Sequence, residues 1–168
     1  MLLVGGASRR FGSPKALARI GDETLAERGW RVLGEAFTER IAVGKTADRL
    51  PLPFPLMDDD SDVRAPLAGV VAGLKAVRAP VAVTLPIDCP LVPPEALVQL
   101  ADACRDAAVT QTGPLPGAFH RRTLPTLERA LADGRLALVE LLLELDAAIV
   151  EVDPQMLLNV NEPADLPP

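Results

Sequence analysis

The chain has 168 residues, 49% of them hydrophobic and 24% charged, which suits one globular domain with a sizeable core. Its net charge of −6 argues against nucleic-acid or anionic-membrane binding, because both depend on positive fields. Cys89 and Cys104 are too few for a disulfide framework and have no zinc-type spacing with the single histidine, His120. Since the sequence shows neither a leader pattern nor an apolar run long enough to cross a bilayer, we expect a cytoplasmic protein without a membrane partner.

Short apolar segments alternate with longer segments of helical periodicity. This pattern predicts an α/β fold, a single Rossmann-like domain over residues 1–168 with three layers and a mostly parallel sheet between helices. The predicted strands are Leu2–Val4, Arg40–Val43, Phe54–Met57, Val81–Leu85, Ala107–Gln111 and Ala148–Val152. The predicted helices are Glu23–Ala36, Leu67–Val77, Pro94–Ala103, Thr123–Ala132 and Leu136–Leu145. The glycines and prolines of residues 113–117 predict a loop, and Trp30 is expected to pack in or near the core.

The first predicted strand leads into a glycine-rich, cationic loop. Its glycines and cations are Gly5, Gly6, Arg9, Arg10, Gly12 and Lys15. Glycine lets backbone N–H groups converge on phosphate oxygens, while arginine and lysine neutralise phosphate charge. The spacing fits neither the P-loop nor the dinucleotide fingerprint. We therefore predict a site for a triphosphate, the alternative being a turn followed by solvated arginines.

An acidic run, Asp58 to Asp62, precedes a segment rich in small residues. For Asp58, Asp59 and Asp60 we expect a solvated loop. Asp62 differs, because it stands just before a helix start where a flat ring can approach the backbone. Its carboxylate can accept two N–H bonds from the Watson–Crick edge of guanine.

Asp88 follows Val81–Leu85, a nearly continuous apolar run that is typical of a central parallel strand. In open α/β sheets ligands bind beyond the carboxyl ends of such strands. A Mg²⁺ ion that bridges nucleotide phosphates takes one or two protein carboxylates. Asp88 is therefore a candidate magnesium ligand, and the alternative is an aspartate that caps a turn.

Two asparagines, Asn159 and Asn161, stand near the C-terminus. Their amide groups can bind a cation or a substrate, although Asn161 also fits a helix cap before Pro163. His120 has no serine or aspartate motif around it. We expect it on the surface or the substrate side and assign it no catalytic role.

Together these segments resemble the molybdenum cofactor guanylyltransferases, within the nucleotidyltransferases of glycosyltransferase-A-like, Rossmann-related fold. Residues 3–15, Leu-Val-Gly-Gly-Ala-Ser-Arg-Arg-Phe-Gly-Ser-Pro-Lys, are similar to the family loop Leu-Ala-Gly-Gly-x-Ser-x-Arg-Met-Gly-x-x-Lys. Residues 66–69 match its Pro-Leu-Ala-Gly, and residues 87–90 match its Asp-x-Pro element. Residues 159–166, Asn-Val-Asn-Glu-Pro-Ala-Asp-Leu, are similar to its Asn-x-Asn-Thr-Pro-Glu-Asp-Leu ending.

The resemblance implies a Mg²⁺-dependent enzyme that transfers GMP from GTP to the phosphate of molybdopterin and releases pyrophosphate. It implies GTP and molybdopterin as partners, and a molybdoenzyme or its chaperone as recipient. The implied catalytic residues are Lys15, Asp88 and Arg10, with Asp88 also holding the metal. The implied nucleotide-binding residues are Leu3, Val4, Gly5, Gly6, Ser8, Arg9, Gly12, Lys15, Asp62, Pro66, Leu67, Gly69 and Asp88. Asn159 and Asn161 fall on the acceptor side.

This chain departs from the family pattern at two places. Where the family often has an asparagine after its second strand, this chain has Gly44-Lys45, and it is short on the pterin side around residues 113–117. The related cytidylyltransferases tend to have Leu-Ala-Ala-Gly in the first loop, so Gly5 together with residues 66–69 favours guanine. A cytidylyltransferase or a sugar-1-phosphate nucleotidyltransferase is the nearest alternative. A non-catalytic nucleotide-binding module that delivers to a target enzyme is the alternative of another class.

Overall fold

The computed structural model of the chain describes residues 1–5 and 14–166. The α-helices are α1 (Leu25–Ala36), α2 (Pro66–Ala76), α3 (Pro94–Ala103), α4 (Leu124–Ala132) and the short α5 (Leu138–Leu141). The strands are β1 (Leu2–Val4), β2 (Arg19–Ile20), β3 (Glu23–Thr24), β4 (Ala42–Gly44), β5 (Leu56–Asp58), β6 (Val81–Pro86), β7 (Ala107–Thr110), β8 (Gly113–His120) and β9 (Ala147–Val150). Within the described ranges, no helix is both long and apolar enough to cross a membrane.

Seven of the described strands form one sheet in the order β5-β4-β1-β6-β8-β7-β9. The first four run parallel, with Leu2 paired to both Ala42 and Leu85. β8 runs antiparallel to β6 and β7, and β9 returns parallel to β7. The predicted α/β fold with a mostly parallel sheet is confirmed.

Each face of the sheet has its own apolar core. Leu2 and Val4 pack with the buried side chains of α1 and α3, whereas Leu3 packs with those of α2, α4 and α5. Successive side chains of a strand point to opposite faces, so the three apolar residues of β1 serve both cores. The helices lie on both faces as predicted, and β1 is buried between them.

Helix α1 begins at Leu25, two residues after the predicted start at Glu23, and its N-cap Thr24 forms a capping box. The Thr24 hydroxyl accepts from the Glu27 N–H at 3.1 Å, and the Glu27 carboxylate accepts from the Thr24 N–H at 2.8 Å, which satisfies two N–H groups that the helix leaves unpaired. Trp30 of this helix stacks on Phe54 with ring centroids 4.4 Å apart, and the Arg40 guanidinium lies 4.4 Å from the same ring centroid. The near-core prediction for Trp30 is confirmed.

Two predicted elements were wrong. Residues 113–117 are not a loop but the first five residues of the eight-residue strand β8. Within β8, Gly113 and residues 117–120 are paired with neighbouring strands. Pro114 and Pro116 therefore occupy positions where a missing N–H breaks no ladder bond. The predicted helix Leu136–Leu145 is α-helical only over α5 and continues as a 3-10 turn, Leu142–Glu144. The hairpin β2–β3, which turns at Gly21 with φ of 58°, was not predicted.

Candidate functional site

The carboxyl ends of β1, β4, β5 and β6 lie side by side, and a cleft of about 120 Å³ opens there. A larger cavity of about 820 Å³, near Phe37, Arg78 and Val81, lies at the opposite edge of the sheet. Because α/β sheets bind ligands at the carboxyl ends of their strands, we assign the candidate site to the smaller cleft. Its volume is below the roughly 300–1,000 Å³ of pockets that enclose a whole drug-sized ligand, so it suits one part of a nucleotide. It is lined by Leu3, Gly5, Val43, Gly44, Lys45, Asp59, Arg64, Ala65, Pro66, Gly69, Pro86, Asp88 and Leu115.

Five of the predicted nucleotide-binding residues meet in this cleft. They are Leu3, Gly5, Pro66, Gly69 and Asp88. The side chains of Val4 and Leu67 instead point into the cores, where they are 1% and 0% exposed. These two residues therefore offer a ligand only backbone atoms.

The other predicted residues of the first loop, Gly6, Ser8, Arg9, Arg10 and Gly12, lie outside the described residues.

Lys15 and Asp88 form an ion pair beside the cleft. Lys15 stands in a 3-10 turn, and its Nζ lies 3.7 Å from Oδ2 of Asp88, which follows β6 in a tight turn. The side chains are 15% and 33% exposed, so a ligand can reach both charges. The structure brings the predicted phosphate-binding lysine to the predicted metal-binding carboxylate, 73 positions apart in the chain.

Asp88 suits a metal ion whose other ligands are phosphate oxygens and water rather than protein side chains. The described residues contain no group of three or more histidine, cysteine or acidic side chains able to hold a metal ion. A closed protein cage is therefore absent from the described part of the chain. One partly exposed carboxylate is what Mg²⁺ takes when phosphate oxygens and water complete its octahedron.

The C-terminal segment is attached next to Asp88. The Val160 N–H donates to the Asp88 carbonyl at 2.8 Å, and the Cys89 thiol donates to Oδ1 of Asn159 at 2.9 Å. Burial raises the pKa of the Cys89 thiol, and the negative charge of Asp88 adds to that effect. Cys89 therefore stays a protonated donor at neutral pH and holds Asn159 next to Asp88.

Asn161 is not the helix cap that its position allowed. The 3-10 turn Pro163–Asp165 has Glu162 as its N-cap, and the Asn161 backbone N–H donates to the Asp165 carboxylate at 2.8 Å. The Asn161 residue is exposed. Its predicted role on the acceptor side stays a prediction.

A second polar cluster in the cleft was not predicted. Nζ of Lys45 lies 2.5 Å from Oδ1 of Asp59 and also donates to the Ser61 carbonyl. The Lys45 and Asp59 side chains are only 12% and 8% exposed, so the solvated-loop prediction is wrong for Asp59. The only sequence signal was position, since each residue stands two positions after the end of a predicted strand, Arg40–Val43 or Phe54–Met57.

The neighbouring acidic side chains have different surroundings. Asp58 accepts from the N–H and hydroxyl of Thr46 and from the Asp60 N–H, and these bonds lower the pKa of Asp58 to about 2. Asp62 is exposed and is not among the cleft-lining residues of the described chain. Arg64, two residues later, lines the cleft and pairs with both carboxylate oxygens of Asp48 at 2.6 and 3.0 Å. The role of Asp62 as the guanine-reading residue stays a prediction.

Gly44→Ala is expected to lower the free energy of unfolding by about 2–3 kcal/mol, the cost of overpacking a closed site. A Cβ at Gly44 would lie 2.2 Å from the Val4 carbonyl oxygen, a backbone atom of the central strand that cannot move aside. Urea denaturation followed by circular dichroism measures the change. Gly5→Ala is the matched control, since no described heavy atom lies within 4 Å of its added Cβ, and a change below about 0.5 kcal/mol is expected. Equal midpoints for Gly44→Ala and the wild type would contradict the steric argument.

The chain is similar to known proteins over nearly its whole length. Residues 1–148 match the sequence model of the "MobA-like NTP transferase domain". The molybdenum cofactor guanylyltransferase of Pseudomonas putida is 33% identical, with 99% of this chain and 94% of that protein covered. An Opitutus terrae protein named "Probable molybdenum cofactor guanylyltransferase" is 34% identical over 98% of this chain and 90% of its own. The crystal structure of molybdopterin-guanine dinucleotide biosynthesis protein A from Archaeoglobus fulgidus superimposes with a TM-score of 0.79 at 26% identity, covering 98% of this chain and 93% of that one.

Proposed function

The chain belongs to the MobA-like NTP transferase family, and we propose that it is a nucleotidyltransferase that moves GMP from GTP to the phosphate of molybdopterin. The products are the guanine dinucleotide cofactor and pyrophosphate. The observation that carries the proposal is the Lys15–Asp88 pair, 3.7 Å apart at the end of β6, beside a cleft lined by Gly5 and Gly69. It joins a cation for phosphates to a carboxylate for a metal at the edge where α/β sheets bind ligands.

The proposed reaction needs positioning and charge stabilisation rather than a protein nucleophile. An oxygen of the molybdopterin phosphate attacks the α-phosphorus of GTP, and the bond from that phosphorus to the β-phosphate oxygen breaks. The electron pair leaves with pyrophosphate, on which Lys15 and backbone N–H groups of the first loop stabilise the growing charge. The acceptor phosphate is already anionic at neutral pH, and the raised pKa of Cys89 keeps that thiol out of nucleophilic chemistry.

The proposed metal is Mg²⁺, with Asp88 as its protein ligand. When bound, the ion supplies neutralisation of the phosphate oxygens during transfer. Lys15, held close to the same carboxylate, keeps the Asp88 side chain directed toward the phosphates. Arg10 as a catalytic cation, and Gly6, Ser8, Arg9 and Gly12 as the rest of the phosphate loop, belong to the same proposal.

The acceptor is proposed to lie toward the C-terminal segment. Asn159, fixed by the Cys89 thiol at 2.9 Å, is near enough to Asp88 to contact a phosphate that approaches the metal. Asn161 continues that exposed segment. A molybdoenzyme or its chaperone then receives the dinucleotide cofactor.

Pyrophosphate release with a panel of nucleotides and acceptors tests the proposed function. We expect release only with GTP, molybdopterin and Mg²⁺ together. Faster release with CTP identifies a cytidylyltransferase, and release with a sugar 1-phosphate identifies the other alternative of the same chemistry. Tight GTP binding with no release in the presence of molybdopterin identifies a non-catalytic delivery module.

Asp62→Asn is expected to reduce the preference for GTP over ATP by about 10-fold or more, because a carboxylate that accepts guanine N–H groups makes charge-assisted bonds of about 1.5–3 kcal/mol. The measurement is the ratio of kcat/KM values for the two nucleotides. Asp60→Asn is the matched control, since Asp60 is exposed and has φ of 50°, a conformation that asparagine tolerates. An unchanged ratio in Asp62→Asn refutes the assigned role.

A further inference from the structure

The Lys45–Asp59 pair forms the polar wall of the cleft at the end remote from Asp88. Lys45 follows β4 and Asp59 follows β5, whereas Asp88 follows β6. In the sheet, β1 lies between β4 and β6. Two strand spacings of about 4.8 Å therefore separate the end of β4 from the end of β6. A nucleotide with its phosphates at Lys15 and Asp88 extends across β1, and its base reaches Lys45.

The ammonium group of Lys45 is held in one position. It donates to Oδ1 of Asp59 at 2.5 Å and to the Ser61 carbonyl. Asp59 is fixed in turn, since its Oδ1 accepts from the Ser61 N–H at 3.1 Å and its own N–H donates to the Gly44 carbonyl at 3.1 Å. Within the described part of the chain these contacts use two of the three ammonium N–H groups, which leaves a third N–H for a ligand in the cleft.

The burial of this ion pair indicates a role other than stabilising the fold. With side chains 12% and 8% exposed, both charges lose much of their hydration, and a desolvated pair stabilises a fold little more than apolar side chains of similar size. By contrast, the surface pair of Lys75 with Glu128, 2.7 Å apart, has side chains that are 55% and 41% exposed. A fixed ammonium in a cleft wall instead suits recognition of a ligand oxygen.

We infer that Lys45 selects guanine by donating to its O6 atom, with Asp59 as the residue that positions the ammonium. This inference rests on the proposed function. An ammonium group is a donor only; guanine presents the acceptors O6 and N7 side by side, whereas adenine and cytosine present an amino donor at the corresponding carbon. Lys45 stands where the family often has asparagine, so the contact belongs to this chain's own residues.

The inference fits the proposed role of Asp62. Ser61, whose carbonyl accepts from Lys45, directly precedes Asp62 in the chain. The Watson–Crick edge of guanine has one acceptor, O6, beside two donors, N1–H and N2–H. Lys45 would contact the acceptor and the Asp62 carboxylate the donors.

Equilibrium binding of nucleotides without molybdopterin tests the inference. The probes are GTP, ATP, CTP and the triphosphate of 2-aminopurine riboside, which lacks both the O6 acceptor and the N1–H donor of guanine. We expect wild-type protein to bind GTP at least about 10-fold more tightly than the 2-aminopurine nucleotide, which loses the hydrogen bonds of O6 and of N1–H together. Lys45→Met should weaken GTP binding by about 10- to 100-fold, as for one lost charge-assisted hydrogen bond, and should leave binding of the 2-aminopurine nucleotide unchanged. Asp59→Asn should reduce the same affinity ratio, which a purely structural role would not alter, and Lys75→Met is the control that should bind like wild type.

The outcomes separate this inference from the proposed function. A wild-type protein that prefers GTP, with a Lys45→Met variant that keeps the full preference, overturns the role of Lys45 alone. A wild-type protein that prefers CTP overturns both. Should Lys45→Met fail to fold, as thermal melting would show, the wild-type ratio decides: equal affinity for GTP and the 2-aminopurine nucleotide refutes an O6 contact.

Discussion

Asp88→Asn is expected to lower the rate of pyrophosphate release by at least about 1,000-fold, which corresponds to about 4 kcal/mol of lost transition-state stabilisation. The asparagine keeps the shape of the side chain but removes the charge that we propose binds Mg²⁺. Folding should be unaffected, because the side chain is 33% exposed at a cleft and the structural bond of this residue, from the Val160 N–H at 2.8 Å, ends on its backbone carbonyl.

The measurement is pyrophosphate release over a range of Mg²⁺ concentrations, with thermal unfolding recorded in parallel. Asp102→Asn is the control for a neutralised carboxylate, since Asp102 is exposed on α3. GTP binding should persist in Asp88→Asn, which would separate a catalytic defect from a collapsed site. Full Mg²⁺-dependent activity in that variant would rule out Asp88 as the metal ligand.

Lys15→Ala is expected to lower kcat/KM for GTP by about 100-fold or more, the usual cost of removing one preorganised donor from developing negative charge. The Lys15 side chain is 15% exposed and its Nζ lies 3.7 Å from Oδ2 of Asp88. A cation from the solvent therefore cannot replace the ammonium group equally well in the variant. The loss should be confined to phosphate recognition. Binding of guanosine, which has no phosphates, should stay within about twofold of wild type.

Two further variants sharpen the Lys15 experiment. Lys15→Arg keeps the charge and should recover part of the rate, whereas Lys75→Ala removes a surface lysine that pairs with Glu128 and should have no effect. The pyrophosphate-release assay reports the rate, and titration calorimetry reports the affinities for GTP and guanosine. If GTP affinity and rate are both unchanged in Lys15→Ala, the proposed phosphate contact is wrong.

Most of the predicted residues that the structure brings together lie at or near the end of a regular element. Asp88 follows an apolar run that predicts a central strand, and in the structure it stands in the turn two residues after the end of β6. Gly5 follows β1, and Pro66 begins α2. Such positions can be predicted because strand composition and helix starts are local properties of the sequence. In a parallel sheet the ends of the strands and the starts of the following helices lie at the same edge, where ligands bind.

Lys45 and Asp59 were missed because their importance is not local. They are 14 residues apart, and each looks like a solvated charge in its own segment. Only the pairing of β4 with β5 places them within 2.5 Å and buries both. The loop prediction for residues 113–117 was wrong for a related reason. Pro114 and Pro116 are tolerated in β8 because the residues of β8 that pair with neighbouring strands are others.

From its sequence alone the chain could be identified as an α/β nucleotidyltransferase. Apolar periodicity predicts the α/β fold, and the four spaced motifs carry the resemblance to the family; both are properties of residues that are neighbours in the sequence. The tertiary structure decided which strand ends are neighbours, that Lys15 meets Asp88, and that Asp59 rather than Asp58 or Asp60 forms the cleft wall with Lys45. Strand order follows from burying both faces of the sheet at once, a condition on the whole chain that no short segment contains.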